Sequence, residues 1–181
     1  MNYTDRRLRF RRILESDQCT YPVGTGDPIA GRLAEHFGFE VGILSGSLAS
    51  AIVLGTWDQG GLTLTDLTDQ LRRITRTSNI SLLVDGDHGF GNAHNTIRTI
   101  NDIEAAGGSA VTIEDTILPR PFGASKDVLI PIPEMIGKLK AALAARTDPS
   151  FVIIARTSSL STESLDKALE RIKAYSSAGV D

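Results

Sequence analysis

Leu83-Val84-Asp85-Gly86-Asp87-His88-Gly89-Phe90-Gly91-Asn92 begins as a buried strand and stops abruptly in two carboxylates spaced by one residue. The apolar run, counted from Ser81 to Val84, is too short for a helix. Both carboxylates can face one pocket if the chain turns at Gly86, and Gly89 and Gly91 let a loop approach a ligand closely. Two anions this close need a cation or a proton between them. Carboxylate oxygens supplemented by water suit Mg²⁺ or Mn²⁺. The alternative reading makes the pair caps for the helix that starts near Asn92.

The same texture recurs on both sides. Short apolar runs at Tyr21–Gly24, Val41–Leu44, Ala110–Ile113 and Phe151–Ala155 read as further strands. Helical spacing fills the intervals. Asp27 and Pro28 are an N-cap and first helical residue, Ile29, Leu33 and Phe37 share a face, and Gly38 ends the helix. Thr65 begins a second helix with Leu67, Leu71 and Ile74 on one side. Ile97, Ile100 and Ile103 mark a third, closed by Gly107. A fourth enters through Pro133 with Ile136, Leu139 and Leu143. A fifth, capped by Ser161 and stopped by Gly179, carries Leu165, Leu169 and Ile172.

Apolar strands alternating with helices mean parallel strands covered by helices, in a doubly wound open sheet or a closed barrel. Polar groups follow four successive strands: Ser45-Gly46-Ser47, Asp85-Gly86-Asp87, Glu114-Asp115 and Arg156-Thr157. A barrel gathers such strand ends around one mouth, so the fold class expected is α/β, a (β/α)8 TIM-type barrel. Eight strands need roughly 250 residues, and the chain has 181. It is expected to be a single domain, residues 1–181, holding the first five βα units and an N-terminal helix. The C-terminal strands are absent, which predicts a piece of a longer chain or completion by another chain.

Glu114-Asp115 repeats the acidic strand end, with one of the two facing the mouth. Arg156 suits a substrate carboxylate through its forked donors, or an ion pair with Glu114 or Asp87. The Ser45-Gly46-Ser47 turn offers backbone N–H groups to an anion. His88 is placed to transfer protons or is structural. His36 and His94 read as surface or packing residues, and Cys19 as inert. Trp57-Asp58-Gln59-Gly60-Gly61 is a lid over the mouth or an ordinary connection. The five arginines among Arg6–Arg12 are expected on a helix packed across the barrel through Phe10, Ile13 and Leu14, with its basic face solvated. Net charge is −3 and apolar residues make up 41% of the chain, which points to no nucleic-acid or membrane partner. A lone cysteine, a polar opening at Met1–Asp5 and no long apolar stretch make the cytoplasm the default.

Val84–Asn92, Gly42–Ser47, Ala106-Gly107 with Thr112–Asp115, and Ile154–Thr157 together resemble the isocitrate lyase/phosphoenolpyruvate mutase superfamily, through nearly the whole chain. The resemblance implies a (β/α) barrel, a homo-oligomer (dimer or tetramer) exchanging its last helix, Mg²⁺ (Mn²⁺ possible), and an enolate of pyruvate. By that resemblance Asp85 is the direct metal ligand, and Asp87 and Glu114 hold the metal largely through water. Ser45, Gly46, Ser47 and Arg156 then bind a small 2-oxo acid, and Asp58 falls where the phosphomutases have a reactive aspartate. The stretch Leu118-Pro119-Arg120-Pro121-Phe122-Gly123-Ala124 lacks the Cys and His of the carbon–carbon lyases and the Lys and Asn of the phosphomutases. With Ile113–Pro119 and His88, it resembles the oxaloacetate decarboxylase branch. The implied activity is Mg²⁺-dependent decarboxylation of oxaloacetate, or a related 2-oxo acid, to pyruvate and CO2. The alternatives are phosphorus–carbon chemistry on phosphonopyruvate, carbon–carbon cleavage, and a non-enzymatic, inactive chain or assembly partner.

Overall fold

A computed structural model describes residues 3–181. Met1 and Asn2, where the polar opening starts, lie outside the described residues. The elements run α1 (Thr4–Leu14), β1 (Val23–Gly24), α2 (Pro28–His36), β2 (Val41–Leu44), α3 (Gly46–Ala49), α4 (Leu64–Thr75) and β3 (Ser81–Asp85). They continue as α5 (Ala93–Ala105), β4 (Ala110–Glu114), α6 (Ile132–Ala145), β5 (Val152–Arg156) and α7 (Leu165–Ser176). A π-helical turn, Ser50–Leu54, prolongs α3.

The five strands are all parallel and stand in sequence order, β1-β2-β3-β4-β5. An open doubly wound sheet reverses its strand order at a switch point. Here the crossovers advance in one direction throughout, and the right-handed rule for such connections puts the helices that link the strands on the same face of a curving sheet. These are the first five βα units of a TIM-type barrel. Alternation along the strands sorts two apolar layers. Leu82, Val84, Val111, Ile113 and Ile153 pack under Leu67, Leu71, Ile100, Met135 and Leu139 of the helices. Val41, Leu83, Ala110, Val152 and Ile154 form the concave layer, where Phe10 of α1 joins them.

Helix α1 closes the N-terminal end of the strands, as expected, but its basic face is not all solvated. Arg6 and Arg7 are each 5% exposed. Arg7 donates to the carbonyls of Gly108 and Glu104 and to Asp148, and the Arg6 carbonyl accepts from Ser81 Oγ. Buried guanidinium needs such partners, and the strand entrances supply them.

Two expectations shift. Thr63, in a capping box with Asp66, starts α4, ahead of Thr65. Ser164 caps α7, while Ser161 lies in a preceding 3-10 turn. The apolar faces of α2 and α7 point outward: Ile29, Leu33, Phe37, Leu165, Leu169 and Ile172 are exposed. These helices flank the edge strands, where among the described residues no outer neighbour covers them. The middle helix α4 buries Leu67, Leu71 and Ile74 as expected. No helix among the described residues is long and apolar enough to cross a membrane.

Candidate active site

Strand parity decides which acids meet. Ala110, Thr112 and Glu114 share the concave face, as do Leu83 and Asp85 on β3 and Val152, Ile154 and Arg156 on β5. Glu114 is directly opposite Arg156 in the register, and Asp85 is opposite Thr112. The Arg156 guanidinium therefore spans two strand ends. Its Nε and one terminal nitrogen donate to Glu114 Oε2 at 3.0 and 2.6 Å, and the other reaches Asp85 Oδ2 at 3.1 Å. The ion pair anticipated with Glu114 is present, and it extends to Asp85 instead of Asp87.

Beyond β3 the chain turns so that Asp87 takes φ +46, a left-handed conformation that aspartate tolerates. Asp87 N–H donates to Asp85 Oδ1 at 3.2 Å, and its carbonyl accepts from Glu114 N–H at 2.8 Å. A methyl group added at Gly46 would lie 2.9 Å from Asp58 Oδ2 and 3.2 Å from Asp87 Oδ1. Gly46 thus brings the start of α3 against both acids, and any side chain there would fill the gap. Asp58, Asp85, Asp87, Glu114 and Arg156 line one cavity of about 560 Å³ with Arg120 and Asp127 of the loop after β4. A second cavity of about 650 Å³, near Arg9, Arg12, Glu35 and Glu40 at the opposite end, contains none of these residues.

The electrostatics of the mouth are unbalanced. Burial, then repulsion from Asp85, Asp58 and Glu114, pushes the Asp87 carboxyl up to about 7. Burial also raises Glu114, against the opposing pull of Arg156. Asp85 and Glu114 hold the Arg156 guanidinium firmly protonated although burial works the other way. A divalent cation fits this surplus of oxygen anions. Among the described residues no three Asp, Glu, His or Cys side chains converge closely enough to enclose an ion.

Other residues singled out in the sequence divide. Ser45 Oγ caps Leu48 N–H at 3.2 Å and meets Ser47 Oγ at 3.2 Å, and neither side chain lines the mouth. The first-turn N–H groups of Gly46 and Ser47 have no acceptor within their own helix. His88 is turned away into a separate cavity with Phe90 and Leu62. Burial, then Lys138, lowers its pKa to about 4, so the ring is neutral at pH 7.

Of the Glu114-Asp115 pair, the acid turned away from the mouth was expected to cap or bridge outward, but sequence reasoning did not name its partners. Asp115, fully buried on the helix-facing side of β4, accepts from Thr157 Oγ1 at 2.9 Å, Tyr175 Oη at 2.6 Å and Arg171 at 3.1 Å. Thr157 follows Arg156, so this cluster ties the exit of β5 to α7. The one available signal was the spacing of Arg171 and Tyr175, which puts both on a single face of α7. Lys138, also buried, donates to the His88 carbonyl.

Residues 10–181 match the phosphoenolpyruvate phosphomutase family. The chain is 49% identical over 181 residues to an oxaloacetate decarboxylase of Rhodopseudomonas palustris strain BisB18, covering all of this chain and 63% of the relative. In solved structures, a phosphoenolpyruvate phosphomutase from Streptomyces platensis subsp. rosaceus superposes with a TM-score of 0.89 at 34% identity, covering 97% of this chain and 62% of that one. A phosphonopyruvate hydrolase in complex with oxalate and Mg²⁺ gives 0.88 at 33%, covering 97% and 61%. The chain thus spans less than two thirds of the length of these relatives. With a family match that spans residues 10–181, the chain belongs to the phosphoenolpyruvate phosphomutase family.

Proposed function

We propose that the protein is a Mg²⁺-dependent lyase that decarboxylates oxaloacetate, or a closely related 2-oxo acid, to pyruvate and CO2. The observation that carries this reading is the surplus of carboxylates around one guanidinium in the mouth, in a chain 49% identical to an oxaloacetate decarboxylase. In this reading residues 1–181 act as one domain, a partial barrel, in a homo-oligomer of the cytoplasm.

Asp85 is the direct ligand of the metal, and Asp87 and Glu114 hold its waters. Mn²⁺ satisfies the same donors. Bound there, the cation supplies Lewis acidity to a carbonyl. Arg156 binds the 2-oxo acid through its carboxylate, keeping its own position by the bonds to Asp85 and Glu114. The Gly46 and Ser47 N–H groups donate to the oxygen on which charge develops, with Ser45 fixing that turn. As the bond to the departing carboxylate breaks, its electron pair passes into an enolate and CO2 leaves; a proton then adds to the carbon. Asp58 lines the cavity from the Trp57–Gly61 loop, which serves as a lid over the mouth.

The neighbouring position of Asp58 in the mouth favours one second reading, phosphorus–carbon chemistry on phosphonopyruvate with Asp58 as nucleophile or orienting group. Pyruvate release by the full-length protein separates the two. Oxaloacetate should yield pyruvate with Mg²⁺, and the rate should vanish with EDTA and fall by about 100-fold or more in Asp85→Ala. Metal-independent turnover contradicts the reading. So does phosphate or phosphoenolpyruvate from phosphonopyruvate, followed by phosphorus NMR, with no pyruvate from oxaloacetate.

A further inference from the structure

Among the described residues, the mouth is lined by five carboxylates and two cations, Arg120 and Arg156. Arg156 is committed at the strand ends, with three donated bonds to Asp85 and Glu114. Arg120 is different. It rides on the loop after β4 and pairs only with Asp127 of that same loop. The base of the loop is tied shut: Ile117 N–H donates to the Val128 carbonyl at 2.8 Å, and Ile130 N–H to the Asp115 carbonyl at 2.8 Å. Pro119 is also seated against Gly60, whose added methyl would stand 3.0 Å from Pro119 Cα. Arg120 therefore lines the cavity from a loop closed at its base, with a carboxylate of its own chain as a stand-in partner.

We propose that Arg120 is a specificity residue that takes the second carboxylate of a four-carbon 2-oxo diacid, which displaces Asp127 from the guanidinium. The assignment rests on the reading of the mouth as a 2-oxo acid site. A monocarboxylate engages only the end near Asp85 and Arg156. A diacid brings a further negative charge into a mouth already rich in it, and Arg120 is the remaining cation lining that space. Exchange of one carboxylate for another keeps the guanidinium neutralised, so Asp127 competes with the substrate for a single partner. The distal carboxylate loses its charge as CO2 forms. The contact is consequently stronger in the ground state than in the transition state, and it governs binding more than turnover.

Kinetics of the full-length protein with oxaloacetate, using oxalate as a competitive inhibitor, test the assignment. Oxalate lacks the two further carbons of oxaloacetate and, on this assignment, engages only the end near Asp85 and Arg156. Arg120→Ala is expected to raise KM for oxaloacetate about tenfold, the scale of one charge-assisted hydrogen bond. In that variant kcat should not fall, and the oxalate inhibition constant should stay within about twofold. Asp127→Asn is expected to lower KM by freeing Arg120. An unchanged KM in Arg120→Ala overturns the assignment, as does a parallel rise in the oxalate constant, which would mean that the whole mouth is disturbed. A wild-type protein that makes no pyruvate from oxaloacetate removes the underlying reading and the assignment with it, a result distinct from either.

Discussion

At the N-terminal end of the strands, Arg7 is 5% exposed and its guanidinium is fully used. It reaches Asp148 at 2.8 Å, the Glu104 carbonyl at 2.6 Å and the Gly108 carbonyl at 3.1 Å. At the C-terminal end Asp87 is nearly as buried, 7% exposed, yet the charges closest to it are mostly other carboxylates. The two acids respond in opposite directions. Burial works against the Asp148 carboxylate, but hydrogen bonds from Ser150, Arg7 and Thr4 outweigh it and hold the group well below the usual range. At Asp87 burial and neighbouring charge act together, and the carboxyl is pushed up to about 7. One end completes its electrostatics within the chain. The other keeps a surplus of negative charge among the described residues. Charge at the first end serves stability, and charge at the second, in the proposed reading, serves binding.

Deleting the guanidinium at the N-terminal end is the largest break in this contrast. Arg7→Ala leaves Asp148 without its cation and should cost about 3–5 kcal/mol in urea unfolding. A loss below about 1 kcal/mol would mean that the clasp is ornamental. The matching change at the mouth should have the opposite sign. Because the folded-state pKa of Asp87 is raised, ionisation opposes folding, and the penalty grows as pH rises from about 4 to about 7. Without metal, Asp87→Asn should match the parent protein below pH 4 and be more stable by about 1–3 kcal/mol above pH 7. Unfolding in EDTA at pH 4 and pH 8 reads this directly, and a variant less stable at pH 8 contradicts the strain assigned to Asp87.

Much of this contrast could be read from residue order, and the rest could not for definite reasons. Five short apolar runs and their intervening helices lie within a few residues of their observed bounds, because strand and helix periodicities differ strongly. The strand-end acids and Arg156 were visible because polar groups stop each run. Which of Glu114 and Asp115 faces the mouth was not visible, since it depends on register with β5. The partners of Asp115 come from α7, more than 50 residues further along, so no local pattern pairs them. Ser161 and Ser164 are both competent caps, and the 3-10 turn decides between them. Ile29, Leu33 and Phe37 share a face as their spacing indicated, but that face is exposed, because an edge helix has a neighbour on one side only. Arg6 and Arg7 look like a solvated basic stripe until the strand entrances beneath them are seen.

Calorimetric titration with Mg²⁺ at pH 6 and pH 8, each in two buffers of different ionisation enthalpy, addresses the unfinished end most directly. A metal that needs Asp87 ionised must displace its proton. Release of close to one proton per bound Mg²⁺ is expected at pH 6 and about a tenth of one at pH 8, with binding abolished in Asp85→Ala. No binding heat, release that does not change with pH, or undiminished affinity in Asp85→Ala would contradict the claim that the mouth is built to be completed by a divalent cation.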